Sequence, residues 1–322
     1  MSRPPNPAFA GLTFVKGHGT ENDFIIYADP DGTLPMDSAT AAWIADRRAG
    51  IGGDGVIRAV RTTAARDTIA GLGPEIFEAE WFMDYRNADG TLAEMCGNGA
   101  RVFVEFLRAA GFVDPPEGKA VLIGTRGGVR RVWCEGEDYA VDMGAWTLPG
   151  GGAAVGPGDV EVSAAGLPGP RRGVRVNVPN PHAVVPVSAE ELAGLDLSVP
   201  PTLTPAPPQG ANVEFIVVDT WPETADAAGG SGQGHFRMRV WERGSGETRS
   251  CGTGVAAAAI VASLRLAEPP ARWRVEVPGG VLGVRFAPRP PTLATLDDDV
   301  PRPVLVGPAL LVYQGGVIPY TD

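Results

Sequence analysis

Three cysteines, three histidines and two lysines in a chain of 322 residues leave several chemistries without their usual material. Cys96, Cys134 and Cys251 are too few and too scattered for a disulfide framework, and no CxxC pair offers two thiolates to a metal, so reduced thiols are expected. His18, His182 and His235 show no HExxH-type spacing, so no metal site is expected. No stretch supplies the roughly 18 unbroken apolar residues of a spanning helix, and the first residues lack the charged-then-apolar order of a secretory signal. The cytoplasm is the expected location. Positive charge is also scarce: 27 Lys and Arg against 38 Asp and Glu give a net charge of −11, which argues against nucleic acid and anionic membranes as partners.

What the chain has in quantity is glycine (44) and proline (31), the composition of many turns and short strands. The length allows two domains with proper cores. Segments such as "GVRRVWCEGEDYAVDMG", "RRGVRVNVPNPHAVVPV", "GANVEFIVVD" and "HFRMRVWERG" read as strands. Helical patterns are few: 40–50, a run in which Val102, Phe103, Phe106, Leu107 and Ala110 recur at helical spacing, and 255–266, apolar on every side and so expected to be buried all round. Strands outnumbering helices in this way indicate an α+β class. The low-complexity stretches 147–170, 199–210, 222–235 and 288–303 read as surface loops and a linker. Cys134, inside a strand pattern, reads as a small core hydrophobe.

One local pattern occurs twice. Cys96-Gly97-Asn98-Gly99 and Cys251-Gly252-Thr253-Gly254 each precede an apolar helical run, one in each half of the chain, which implies two related halves. The first-turn N–H groups of a helix have no intrahelical partners, and they attract anions. The same position favours thiolate over thiol, so a cysteine starting from about 8.5 is expected to titrate somewhere near 7–8. Two facing thiols rarely ionise together, which makes one a base and the other an acid. A base on one face of a carbon and an acid on the other is the requirement for inverting an α-amino acid. Pyridoxal phosphate would take the developing carbanion only with a Schiff-base lysine, and Lys16 and Lys119 are the two candidates, the latter in the turn-like "PPEGKA". A cofactor-free route fits better. Gly50-Ile51-Gly52-Gly53-Asp54-Gly55 satisfies GxGxxG, yet it follows a helical pattern and leads into strand, the reverse of a dinucleotide fingerprint.

The motifs "KGHGTENDF", "GIGGDG", "NADGTLAEMCGNGAR", "PNPH", "NVEF" and "ERGSGETRSCGTG" come in the order and at about the intervals found in diaminopimelate epimerases, so the chain resembles that family over nearly its whole length. The resemblance implies two similar domains, each a mainly antiparallel β-sheet wrapped around a central helix, with the active site in the cleft between them. The domains would be 1–142 plus 308–322, carrying Cys96, and 143–307, carrying Cys251. It further implies interconversion of LL- and meso-diaminopimelate without cofactor or metal, for lysine and peptidoglycan precursors, by a small-molecule enzyme for which a homodimer is allowed. Carried over residue by residue, Cys96 and Cys251 form the acid/base pair. Gly97, Asn98, Gly252 and Thr253 offer donors to the reacting carboxylate, and Asn22, Asn87, Asn180, Asn212, Glu242 and Arg243 contact the substrate. The chemistry agrees, since a distal amino-acid head needs acceptors for its ammonium and a fork such as Arg243 for its carboxylate.

Thr20-Glu21 stands where the family usually has Leu-Gly, and Pro179 where a Gly commonly precedes Asn-Pro-His. A related epimerase with another amino-acid substrate therefore stays open. So does a redox module joining Cys96 to Cys251, although a dedicated redox dithiol is usually local and CxxC.

Overall fold

The computed structural model describes residues 9–34, 36–65, 68–219, 232–289, 291–293 and 300–318. Contacts divide the chain into two units, Met1–Val141 with Pro308–Asp322, and Asp142–Gly307.

In the first unit β1 (Thr13–Gly19) and β2 (Asn22–Ala28) pair as an antiparallel hairpin. Its two-residue turn is Thr20-Glu21, with φ of +56° and +59°. Positive φ at both central positions matches the twist of the strands, but a β-branched residue adopts it only at a steric cost. Helix α1 (Ser38–Ala45), whose N-cap Asp37 accepts a bond from Thr40 N at 2.7 Å, carries the chain to β3 (Gly55–Arg61), parallel to β2. Strand β4 (Trp81–Asn87) runs antiparallel to β3. Helix α2 (Gly97–Ala109) then crosses to β5 (Val121–Thr125), parallel to β4, and β6 (Gly128–Glu135) and β7 (Asp138–Asp142) follow as an antiparallel meander. Parallel pairing requires such crossovers, which is why both helices sit where they do.

The second unit adds β8 (Val160–Ser163) and then repeats the plan. Strands β9 (Arg171–Val178) and β10 (Asn180–Pro186) pair antiparallel with only Pro179 between them. Helix α3 (Ala189–Gly194) and β11 (Thr202–Thr204) lead to β12 (Asn212–Val218), parallel to β10. Strand β13 (Gln233–Glu242) is antiparallel to β12 and β14 (Gly246–Thr248) to β13, and α4 (Gly252–Leu264) crosses to β15 (Arg272–Val277), parallel to β13. Antiparallel β16 (Gly280–Ala287) and β17 (Arg302–Gly307) complete it. Finally β18 (Leu310–Gly316) returns to the first unit and pairs antiparallel with β1.

Each unit is thus a mainly antiparallel sheet around one long helix. Helix α2 packs against β1 to β4, β6 and β18, and α4 against β9, β10, β12, β16 and β17. The sequence patterns explain both. Strand β13 alternates, with Phe236, Met238 and Val240 buried and His235, Arg237 and Arg239 on the other face. All thirteen residues of α4 are buried, as its all-round apolar run requires, and its four consecutive alanines let strands approach closely.

Several expectations are corrected. Both long helices start at the glycine after the cysteine, because each cysteine is the N-cap and the CGxG glycines form the first turn. The first helix spans Ser38–Ala45 instead of 40–50, since Asp46 breaks from helical geometry. Within 147–170 and 199–210, β8 and β11 pair with one another and β8 with β9, so these are structured strands that cover part of the sheet. The stretch 288–303 reaches into β17, and most of 222–235 lies outside the described residues. Cys134 is only half-buried, and its Sγ accepts a bond from Arg108 Nη1 at 3.3 Å, because it shares the face of buried Arg130 and Val132 but lies next to the end of β6, beside the last turn of α2. Among the described residues no helix is long and apolar enough to cross a membrane.

The enclosed helix generates a stability prediction. Ala257→Leu adds three carbons where α4 has no room, and overpacking of this kind typically costs about 1–3 kcal/mol. The expected result is a lower urea midpoint with an unchanged native circular dichroism spectrum; an unchanged midpoint would show that α4 is loosely held.

Candidate active site

Strand registers align the two units residue by residue. Phe24 on β2 faces Gly55 on β3, and His182 on β10 faces Asn212 on β12. Asn22 and Asn180 lie two residues before these partners, at the starts of β2 and β10. Asn87 ends β4 opposite Gly55, and Glu242 ends β13 at the matching place beyond the Val213–Trp241 pair. Cys96 and Cys251 are the N-caps of the two central helices, followed by Gly97 and Asn98 in one and Gly252 and Thr253 in the other. Most of the residues singled out from sequence therefore occupy corresponding points of a repeated framework.

In the first unit, buried Asn22 is held from both ends. Its Nδ2 donates to Asp54 Oδ2 at 2.8 Å, so its Oδ1 turns toward the helix, where it accepts from Asn98 Nδ2 at 3.1 Å and lies 3.9 Å from Cys96 Sγ. Cys96 Sγ itself accepts the N–H of Gly99 at 3.3 Å. Asp54 is fixed in turn by Arg47 Nη2 at 2.8 Å and by Asp23 N at 3.3 Å, while Arg47 grips Asp23 with two bonds, at 2.9 and 2.6 Å. Burial pushes the Asp54 carboxyl up, with the Asp23 charge adding to it. Burial acts likewise on Asp23, but the Arg47 and Lys16 cations outweigh it and hold Asp23 at about 2. The loop "GIGGDG" leads into β3 and holds no helix N-terminus for a phosphate; its Asp54 sets the orientation of Asn22. Asn87 stays within its own turn, donating from Nδ2 to Thr91 Oγ1 at 3.1 Å.

In the second unit, Thr253 Oγ1 lies 3.5 Å from Cys251 Sγ and 3.4 Å from Asn180 Nδ2, which donates to it. Asn212 Oδ1 accepts from the backbone N–H of Arg243 at 2.9 Å, and Arg243 Nη1 donates to Gln209 O at 3.0 Å. Glu242 accepts from Thr248 Oγ1. Behind the helix start lies a fully buried pair, with His182 Nδ1 2.7 Å from Glu214 Oε1. A Cβ at Gly254 would sit 2.5 Å from that Glu214 oxygen, so only glycine leaves it room.

Cys251 does not titrate near 7–8 as a helix N-terminus alone would suggest. Complete burial drives its thiol well above the ordinary range, the Glu242 and Glu214 charges push further, and the Thr253 hydrogen bond offsets only part. The macrodipole, at most about 2 kcal/mol, is outweighed. Arg101, Glu214, Asp54 and the buried position of His182 carry electrostatic weight that the sequence motifs contain but do not rank. All three cysteines are free thiols.

A pH prediction follows from Cys251. Its folded-state pKa lies above the unfolded value, so its neutral form stabilises the fold fully below the unfolded thiol pKa of about 8.5, and that contribution is lost as pH rises toward the folded value. Wild-type protein is expected to lose denaturation midpoint between about pH 8 and 10. Cys251→Ser, which has no ionising group there, should lose less; parallel curves for the two proteins would contradict the assignment.

Comparison with known proteins bears on the whole framework. The family model described as diaminopimelate epimerase matches residues 14–149 and 174–290. A diaminopimelate epimerase of Thermobifida fusca is 45% identical over 311 residues, covering 95% of this chain and 98% of its own. One from Streptomyces coelicolor is 44% identical, covering 94% of each, and one from Mycolicibacterium smegmatis is 38% identical, covering 96% and 98%. Among solved structures, a PhzF-family phenazine biosynthesis protein of Bacillus anthracis superposes with a TM-score of 0.63 at 15% identity, covering 95% of this chain and 99% of its own. A hydroxyproline epimerase of Agrobacterium vitis does so with 0.60 at 12% identity, covering 94% and 91%. At such identities the structural likeness speaks for the fold, whereas the sequence relatives span nearly all of the chain at 38–45% identity. With these matches and the twice-built cysteine framework, the chain belongs to the diaminopimelate epimerase family.

Proposed function

We propose that the chain interconverts LL- and meso-diaminopimelate by proton transfer between two thiols, without a cofactor, and so serves lysine and peptidoglycan precursor synthesis. The observation that carries this reading is the repeated placement of a cysteine as N-cap of a helix enclosed by its own sheet. In each unit the sheet-wrapped long helix begins with a thiol and a turn of backbone donors, which is wasteful packing unless an anion and a proton are handled there.

The chemistry then runs as a single inversion. One cysteine, as thiolate, takes the α-proton; the other, as thiol, delivers a proton to the opposite face, so that each ends in the other's starting state. First-turn N–H groups at Gly97, Asn98, Gly252 and Thr253 bind the carboxylate and stabilise the charge that builds on it as the α-proton leaves. Asn22, Asn87, Asn180 and Asn212 supply donors and acceptors at positions held by the framework, and Glu242 and Arg243 receive the distal ammonium and carboxylate. Working thiols need a reducing compartment, which fits the cytoplasm. A related epimerase with another amino-acid substrate is the second reading, favoured by the unusual Thr20-Glu21 turn next to Asn22 and by Pro179 next to Asn180.

Solvent-deuterium incorporation at the α-carbon separates these readings. Reduced protein is expected to exchange and invert both diaminopimelate isomers, and Cys96→Ala and Cys251→Ala should each lose about 10²–10⁴-fold in turnover. No exchange with either isomer would move the substrate to another amino acid. Arg243→Lys replaces a fork with a point charge; with a charge-assisted bond worth about 1.5–3 kcal/mol, kcat/KM should fall roughly ten- to a hundredfold. An unchanged value would remove Arg243 from the distal end.

A further inference from the structure

The two units repeat one framework, yet the charges buried behind their helix starts are opposite. In the first unit Arg101, in the second turn of α2, is fully buried. It donates from Nε to Pro308 O and from Nη2 to Thr20 Oγ1, both at 3.1 Å. Its Nη1 finds no hydrogen-bond partner, and no described carboxylate pairs with it. The glycine at 19 makes its space, since a Cβ there would sit 2.8 Å from Nη2. Burial lowers this guanidinium to about 10, opposed first by Cys96 and then, at a distance, by Asp138, so it stays protonated at neutral pH. The matching residue of α4, five beyond Cys251, is Ala256.

The second difference lies in the sheet. Two residues beyond Gly55, β3 carries Ile57; two beyond Asn212, β12 carries Glu214. Ile57 Cδ1 would lie 3.3 Å from a Cβ at Gly99, just as Glu214 lies against Gly254, so the two residues occupy the same place beneath their helices. Phe24 on β2 corresponds to His182, Glu214's partner. An apolar pair in one unit is therefore a buried acid and imidazole in the other. The third difference is at sulfur: Cys96 Sγ accepts the Gly99 N–H at 3.3 Å, whereas Cys251 Sγ makes no such capping bond. The distant contact of Cys96 with Asn22 Oδ1, at 3.9 Å, opposes this only weakly.

We propose that the enzyme rests with Cys96 as the thiolate and Cys251 as the thiol, and that Arg101 and Glu214 are the positioning residues that impose this division. A cation behind one sulfur and an N–H pointing at it favour its anion; two carboxylates, Glu214 and Glu242, near a wholly buried sulfur favour its protonated form. Glu214 faces His182, and Asp138 is the acid that acts on Arg101. The inference rests on the two-thiol reading and extends it: the substrate isomer whose α-proton faces Cys96 meets a ready base, and the other isomer is served after the proton has moved across.

Iodoacetamide alkylation of the full-length reduced protein, followed cysteine by cysteine by peptide mass spectrometry from pH 5 to 11, tests the assignment without substrate. The pH midpoints are read, so differences in access drop out. Wild-type Cys96 is expected to show a midpoint at least about one unit below that of Cys251, since one unit corresponds to a tenfold change in the thiolate fraction. Arg101→Gln should raise the Cys96 midpoint by about one unit, Arg101→Lys should restore it, and Glu214→Gln should lower that of Cys251. A wild-type Cys251 midpoint at or below that of Cys96 overturns the proposal on its own, even should a variant fail to fold. A Cys96 midpoint unmoved in folded Arg101→Gln overturns the role of Arg101. Absent α-proton exchange with either diaminopimelate isomer would instead count against the substrate of the proposed function and leave the order of midpoints standing.

Discussion

A helix wrapped by its own sheet can meet anything polar from outside with its backbone only at its ends, and the donors are all at its start. The side chains of α4 are apolar apart from Thr253 and Ser263 and every residue is buried, so the first-turn N–H groups, which have no intrahelical partners, must be answered by something other than packing. The two helix starts are where backbone donors and a thiol come together, since the cysteines stand there as N-caps. Glycine after each cysteine keeps the turn narrow, and Gly254 in particular leaves space for a carboxylate beneath it.

Duplication supplies symmetry, and the proposed two-thiol chemistry requires that symmetry be broken. The framework residues correspond closely: Asn22 with Asn180, Asn98 with Thr253, Asn87 with Glu242. The departures from correspondence cluster beneath the helix starts, where Arg101 has no counterpart and Glu214 replaces an isoleucine. A buried unpaired guanidinium is costly, and so is a buried Glu–His pair where its twin is Phe and Ile. Groups that cost stability and act electrostatically on a thiol are explained more readily by the thiol than by the fold.

Much of this was legible in the sequence where the signal was local. The repeated CGxG, the all-round apolar run of α4, the alternation of β13 and the order of the family motifs are each contained in short segments. What could not be read depends on pairing across long separations. Asp54 sits in a glycine-rich loop that mimics a nucleotide motif, and its role appears only when β2 and β3 bring it to Asn22. The behaviour of Cys251 was misjudged because the helix terminus is local, whereas its burial and the two acids arise from β12 and β13. Cys134 shares the face of buried Val132, but it sits near the end of β6 beside Arg108 of α2, a neighbour that its strand pattern does not show.

The return of β18 to β1 has a consequence for the order in which the protein is made. The second unit is one continuous stretch of chain, Asp142–Gly307, and holds all its strands once that stretch is synthesised. The first unit precedes it but lacks both the β18 partner of β1 and the Pro308 carbonyl that receives Arg101 until the second unit has emerged. Contacts of such long sequence separation close slowly, because loop-closure entropy must be met before they form. The half that is translated first is therefore completed after the second, and Arg101 gains its full set of partners only once all of the second unit has been made.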